Sequence, residues 1–140
     1  MKALVLREYM KLVYEEVPLP EIASDEVLVK VEACGICGSD VHGLDGSTGR
    51  RQPPLIMGHE ASGVVVSVGA GVTRVKPGDK VAVSPSHACG RCEGCRQGRE
   101  QLCSNMSFLG SASLFPHVQG MFREYFVMGE RQCYPVGGDV

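Results

Sequence analysis

Four cysteines in one polar stretch of the chain could hold a metal ion. Their spacing is C-x2-C-x2-C-x7-C, at Cys89, Cys92, Cys95 and Cys103. Zn²⁺ takes four soft ligands in a tetrahedron, and two-residue spacers let a tight turn aim successive thiolates at one point. Because four thiolates leave no coordination position open for water, this pattern predicts a structural zinc site.

Two other uses of these cysteines are weaker. An iron–sulfur cluster also takes four cysteines, but Ser104 follows the last one where such runs usually carry proline. Free cysteines buried in a core are disfavoured because residues 86–105 contain few apolar side chains to surround them. Zinc is the expected metal, and an iron–sulfur cluster is the alternative.

A second set of residues of metal-ligand type is formed by Cys37, His59 and Glu60. A catalytic zinc takes three protein ligands and leaves a position for water or substrate, and these three side chains suit that role. Spacing alone leaves other interpretations open, since a lone cysteine is usually a core residue. Cys34 and Cys37 could also form a redox pair, although no βαβ pattern surrounds them.

The elements that position these residues are short strands. Alternating or β-branched runs predict a mainly β domain, with strands at Ala3–Leu6, Leu12–Val17, Glu26–Ala33, Ala61–Val68, Lys80–Ser84 and Phe122–Met128. Ser39 could cap a short helix that runs toward Leu44. The segment Gly46–Pro54 is rich in Gly, Pro and polar residues and predicts a surface loop. The cysteine-rich segment 86–105 is an insertion that cannot build its own apolar core.

A glycine-rich turn at Gly69-Ala70-Gly71 follows one of the predicted strands. A dinucleotide-binding loop needs a third glycine three positions later and then a helix. The sequence instead begins another strand at Lys80. We therefore expect a plain turn, and no nucleotide-binding domain within this chain.

Length and charge limit the possible partners. A chain of 140 residues fits one domain. The formal net charge of −2 and the lack of tryptophan disfavour nucleic-acid binding. The longest apolar runs are far below the roughly 20 residues of a membrane span. A charge pair, Arg7 and Glu8, interrupts the first apolar run, so we expect no secretion signal and a cytoplasmic protein.

Several motifs occur together in a fixed order, and their combination is informative. They are Gly35–His42, Gly58-His59-Glu60, Val68–Val72, Pro77–Val81 and the four-cysteine segment. In this combination the sequence resembles the N-terminal catalytic domain of zinc-dependent medium-chain alcohol and polyol dehydrogenases, over essentially all 140 residues. Within that family it is most similar to L-idonate 5-dehydrogenases, through Phe108–Ala112, Phe115-Pro116-His117 and Gln132-Cys133.

The resemblance implies a fold and a metal site. The fold would be a GroES-like, partly open β-barrel with short helices and an inserted four-cysteine zinc lobe at about residues 86–105. Cys37 and His59 would bind a catalytic zinc. Glu60 matches a carboxylate that binds this zinc directly in polyol dehydrogenases and lies just behind it in many alcohol dehydrogenases.

The resemblance also implies the roles of three residues near Cys37. Ser39 matches a hydroxyl that takes the proton of the alcohol, and His42 lies further along that relay. Asp40 matches a carboxylate of the kind that orients a zinc-bound histidine. One departure is Gly43, which stands where sorbitol dehydrogenases usually carry a tyrosine in the substrate pocket.

The implied reaction is the reversible oxidation of a secondary alcohol of a polyol or sugar acid to a ketone. The acceptor would be NAD or NADP, held by a Rossmann domain that lies outside these 140 residues. We therefore expect this chain alone to be inactive and the parent enzyme to be a homo-oligomer. Alternatives are another zinc alcohol, polyol or threonine dehydrogenase, and a non-catalytic zinc-stabilised β domain that serves as a binding module.

Overall fold

The computed structural model describes residues 1–110 and 114–137. Ten strands lie within these residues: β1 (Lys2–Glu8), β2 (Lys11–Glu16), β3 (Glu26–Gly35), β4 (Leu55–Ile56), β5 (Glu60–Val68), β6 (Lys80–Val83), β7 (Ser86–His87), β8 (Ser107–Phe108), β9 (Tyr125–Gly129) and β10 (Cys133–Pro135). The helices are short: α1 (Gly38–Leu44), α2 (Glu93–Arg96), and 3₁₀ turns at Glu100–Leu102 and Glu130–Gln132. None of the helices in the described ranges is long and apolar enough to cross a membrane.

The largest sheet has five antiparallel strands in the order β10-β6-β5-β3-β9. In its long central strand β3, Val27 and Val29 are fully buried as the alternation predicts, but Leu28 between them is buried as well and Ala33 is exposed. Phe126 on the neighbouring strand packs into the same core, as does Cys133. Burial of these side chains supplies the main favourable term for folding.

A second, three-stranded sheet with the order β2-β1-β4 closes against the first. The residues just before β9 join the two. Leu4 N–H donates to the Phe122 carbonyl over 2.8 Å and Glu124 N–H donates to the Lys2 carbonyl over 3.0 Å. On the other side, Val31 N–H donates to the Glu124 carbonyl over 2.9 Å. The sheets therefore form the partly open barrel that the family resemblance implies, and the mainly β fold class is confirmed.

Some local predictions need correction. The helix begins at Gly38 and Cys37 caps it, so Ser39 is not the cap. The strand predicted from Phe122 begins at Tyr125, because residues 122–124 bond to β1 as well. The segment Gly46–Pro54 is not wholly a surface loop, since its Arg51 is only 3% exposed. Ser111 and Ala112, part of the stretch similar to L-idonate 5-dehydrogenases, lie outside the described residues.

Candidate active site

The cysteine lobe brings four sulfur atoms together. The Sγ atoms of Cys89, Cys92, Cys95 and Cys103 all lie within 4.8 Å of one another. A tetrahedral zinc with Zn–S bonds of about 2.3 Å needs sulfurs about 3.8 Å apart, so the cluster fits one ion. Backbone N–H groups of Cys89 and Asn105 point at the Cys103 sulfur, over 3.2 and 3.4 Å. Such N–H groups stabilise a thiolate.

The thiols of this lobe differ in their acidity. Backbone N–H groups of Cys95 and Ser104 lower the pKa of Cys92 to about 5. Desolvation, together with the neighbouring sulfurs, raises the pKa of Cys95 to about 12. The two sulfurs are 3.4 Å apart. A metal ion that binds all four thiolates must displace the proton held at Cys95, so binding weakens as the pH falls.

The second set of ligand-type residues also converges. Cys37, His59 and Glu60 each offer one ligand atom, and these atoms lie within 4.8 Å of one another. Cys37 immediately precedes α1, whereas Glu60 is the first residue of β5 and His59 comes directly before it. His59 and Glu60 also line a cleft of about 490 Å³, together with Phe108.

Gly58 allows two adjacent residues to serve one site. Neighbouring side chains in a regular strand point to opposite faces, but Gly58 has φ +88° and turns the chain just before His59. This left-handed conformation favours glycine. A Cβ atom at this position would lie 2.5 Å from Cδ1 of Phe122, so a side chain is excluded by contact as well.

Gly58→Ala is therefore expected to destabilise the chain by about 2–4 kcal/mol, from left-handed strain and overpacking together. It should also weaken metal binding by His59. Gly78→Ala is the matched control, because Gly78 has φ +93° but no atom near its Cβ position. Chemical denaturation of both variants measures the difference. Equal losses would mean that the contact with Phe122 contributes nothing.

A buried ion pair lies directly behind His59. Asp40 and Arg51 are each only 3% exposed, and Nη2 of Arg51 is 3.3 Å from Oδ1 of Asp40. The same Oδ1 is 3.6 Å from Nδ1 of His59. Oδ2 of Asp40 accepts the Cys37 N–H over 3.1 Å, which closes the cap of α1. The Asp40 carboxylate therefore links two of the three ligand-type residues.

Ser39 approaches the other ring nitrogen of His59. Its Oγ is 3.5 Å from Nε2 of His59 and 3.3 Å from Nη2 of Arg51. His42 is exposed on α1, about one turn after Ser39. The structure thus groups Ser39 and Asp40 with the three ligand-type residues, whereas His42 lies at the solvent side.

The donor set suits zinc. A thiolate, an imidazole and a carboxylate are all zinc ligands. Oδ1 of Asp40 contacts Nη2 of Arg51 as an ion pair but forms no hydrogen bond. Nδ1 of His59 is also buried without a hydrogen-bond partner, and the two atoms face each other. A histidine that ligates through Nε2 commonly directs Nδ1–H at a carboxylate, and such contacts are often long before the site is complete. The residues present therefore fit this metal.

Arg51 is the residue that sequence reasoning missed. Its loop composition predicts exposure, and its partners Ser39 and Asp40 lie 11–12 positions upstream. The one available signal was Gly43. A Cβ atom there would collide with Nη1 of Arg51 and lie 2.5 Å from its Cδ. In this chain the guanidinium occupies the space beside residue 43.

The family profile of the alcohol dehydrogenase GroES-like domain matches residues 23–138 of the 140. The chain belongs to this family. Sorbitol dehydrogenase from Bacillus subtilis strain 168 is 44% identical to this chain over 131 residues. The matched region covers 91% of this chain and 36% of that relative. The predicted GroES-like domain of the alcohol dehydrogenase family is thereby confirmed.

Solved structures of GroES-like dehydrogenases superpose closely. An alcohol dehydrogenase from Escherichia coli CFT073 in complex with NADH has a TM-score of 0.87 and 34% identity, over 100% of this chain and 39% of that chain. L-idonate 5-dehydrogenase from E. coli K-12 has a TM-score of 0.85 and 31% identity, over 99% of this chain and 40% of that one. The chain therefore spans well under half the length of these relatives.

Proposed function

We propose that this chain is the zinc-binding catalytic domain of an oxidoreductase that oxidises a secondary alcohol of a polyol or sugar acid to a ketone. The observation that carries the proposal is the convergence of Cys37, His59 and Glu60 on one site, in a chain of this family. A non-catalytic scaffold has no need of these three converging ligand-type side chains, two of which line an open cleft. The fold by itself does not imply this chemistry.

Cys37, His59 and Glu60 would hold the catalytic zinc, and Cys89, Cys92, Cys95 and Cys103 would hold the structural one. A zinc held there would supply a Lewis acid that favours loss of the proton from the substrate hydroxyl. The structural zinc would tie together a lobe that has no apolar core of its own. Four thiolate ligands would leave no position open for substrate, so this zinc would take no part in the chemistry.

Ser39 and His42 would transfer the proton of the substrate, and Asp40 would hold the His59 ring in position. Ser39 lies beside the ligand set, and we assign its hydroxyl to accept the proton of the substrate hydroxyl and pass it toward His42. His42 is exposed and can exchange that proton with solvent. Asp40 fixes the orientation of the His59 ring through Nδ1.

Hydride would leave the carbinol carbon for NAD or NADP. The pattern of antiparallel strands offers no place for a dinucleotide within the described ranges, since that site needs parallel βαβ units. A second domain would therefore hold the cofactor. Binding of NADH by the E. coli CFT073 relative supports a nicotinamide dinucleotide.

Two substrates stand out within the proposed class. The similarity to L-idonate 5-dehydrogenase at residues 108–117 favours oxidation of L-idonate to 5-ketogluconate. Phe108 of this stretch contacts the ring of His59, with centroids 5.9 Å apart. Gly43 also departs from the tyrosine usual in sorbitol dehydrogenases. Sorbitol is the second candidate, because the B. subtilis sorbitol dehydrogenase is 44% identical. Comparison of kcat/KM for L-idonate and sorbitol, in a protein that includes this chain, distinguishes them.

The two metal sites are expected to differ in lability. Glu60 is exposed and the cleft is open, so a chelator should strip the catalytic site first and leave about one zinc per chain. His59→Ala should abolish this labile zinc and barely change the tight one. Chelator titration followed by metal analysis measures both populations.

His87→Ala is the control for this experiment, because His87 contacts Gln132 (3.3 Å) rather than either ligand set. It should leave both zinc populations unchanged. If both zincs in the wild-type chain resist chelation equally, the catalytic site is complete within these residues. If His59→Ala loses no zinc, the proposed metal site is wrong.

A further inference from the structure

Arg51 is a buried cation that the proposed reaction does not use directly. Its guanidinium reaches α1 from the loop that precedes β4. It donates from Nη1 to the Ser39 carbonyl and from Nη2 to Ser39 Oγ over 3.3 Å, and Nη2 is 3.3 Å from Asp40 Oδ1. The Arg51 side chain therefore contacts one backbone carbonyl and two side chains of α1, the helix that lies next to His59.

The main chain at Arg51 and Gln52 also forms hydrogen bonds to other segments of the chain. The hydroxyl of Tyr9 donates to the Arg51 carbonyl over 2.9 Å, so the β1–β2 turn anchors this part of the loop. On the next residue, Gln52 N–H donates to Nε2 of His117 over 3.0 Å. These contacts from two separate segments fix the direction from which the guanidinium approaches α1.

The space that the guanidinium fills exists because residue 43 is glycine. Any Cβ atom there meets Nη1 and Cδ of Arg51. Gly43 is the fifth of the six residues that follow Gly38 in α1, a position where alanine would favour the helix. The glycine therefore serves the approach of Arg51 and not the helix itself.

We propose that Arg51 is a positioning residue that holds Asp40 against His59, and Ser39 beside it, through the fork of its guanidinium. The inference rests on the proposed metal site at Cys37, His59 and Glu60. A planar fork can hold several acceptors in fixed directions, whereas a lysine ammonium acts as a point charge. The geometry of the guanidinium, and not only its positive charge, then sets the orientation of the His59 ring.

Arg51→Lys tests this because it keeps the charge and removes the fork. The probe is Co²⁺, added to the 140-residue chain after one equivalent of Zn²⁺ has filled the cysteine lobe. We expect Arg51→Lys to weaken Co²⁺ binding at the second site about tenfold and to change its visible spectrum, as loss of an outer partner of a ligand does. Arg50→Lys is the matched control, since Arg50 is exposed, and it should bind Co²⁺ like the wild type.

A double-mutant cycle shows whether Arg51 acts through Asp40. In an Asp40→Asn background, Arg51→Lys should weaken Co²⁺ binding less than twofold further, because residues that act through one contact are not additive. Gly43→Ala is the second variant, useful where Arg51→Lys does not fold. It displaces the guanidinium without removing it and should reproduce the tenfold loss.

Three outcomes would overturn the inference. If folded Arg51→Lys or Gly43→Ala binds Co²⁺ with the wild-type affinity and spectrum, Arg51 has only a charge or a structural role. Fully additive losses in the double variant would mean that Arg51 does not act through Asp40. A wild-type chain that binds no Co²⁺ beyond the cysteine lobe would overturn both this inference and the proposed function, whereas the first two outcomes leave the proposed function intact.

Discussion

Cys92→Ser is expected to release the zinc of the cysteine lobe and to lower the thermal stability of the whole chain. The free energy of zinc binding contributes directly to the folding of the segment that carries the ligands. In isolated zinc-finger peptides this binding free energy is about 10–16 kcal/mol. Here the lobe is inserted in a β domain with its own core, so we expect a smaller loss of at least about 3 kcal/mol. At this chain length that corresponds to a fall in Tm of about 10 °C or more.

Metal analysis and calorimetry of the purified chain measure the two effects together. Cys34→Ser is the matched control, because Cys34 lies outside the cysteine lobe and is half-buried near the other site. It should keep the tight zinc. Zinc retained in Cys92→Ser, or iron found in the wild-type chain, would show that the assignment of a structural zinc is wrong.

The second large effect concerns catalysis. The 140-residue chain, assayed alone with NAD or NADP and either sorbitol or L-idonate, is expected to show no measurable turnover. Hydride transfer needs the nicotinamide held against the carbinol carbon, and such positioning contributes roughly 7–11 kcal/mol, or about 10⁵–10⁸-fold in rate. All strand pairs in the described residues are antiparallel, so the parallel unit that binds dinucleotides is not among them.

Spectrophotometry of NADH or NADPH formation is the measurement. A longer protein in which a dinucleotide-binding domain follows this chain is the positive control and should turn over one of the two substrates. Clear activity of the 140 residues alone would mean that they bind the cofactor in a way that the fold does not indicate. The proposed division of labour between two domains would then be wrong.

Local sequence determines much of this protein. The four cysteines lie within fifteen residues, so tight turns alone bring their sulfurs together and the spacing predicts the cluster. The strands are also determined locally, because runs of alternating and β-branched residues predict strand conformation. Val27 and Val29 are predicted as core residues by that alternation and are fully buried.

Only the tertiary structure decides how the candidate active site is held. The composition of its loop does not show that Arg51 is buried. Its partners Ser39 and Asp40 lie 11–12 residues earlier, in α1, and only the folded chain brings them next to it. The convergence of His59 and Glu60 also depends on a single backbone angle at Gly58, which Phe122 helps to enforce from a distant segment. Spacing and alternation indicate contacts between residues that are close in sequence. An ion pair between α1 and a loop depends instead on where the folded barrel places the two segments.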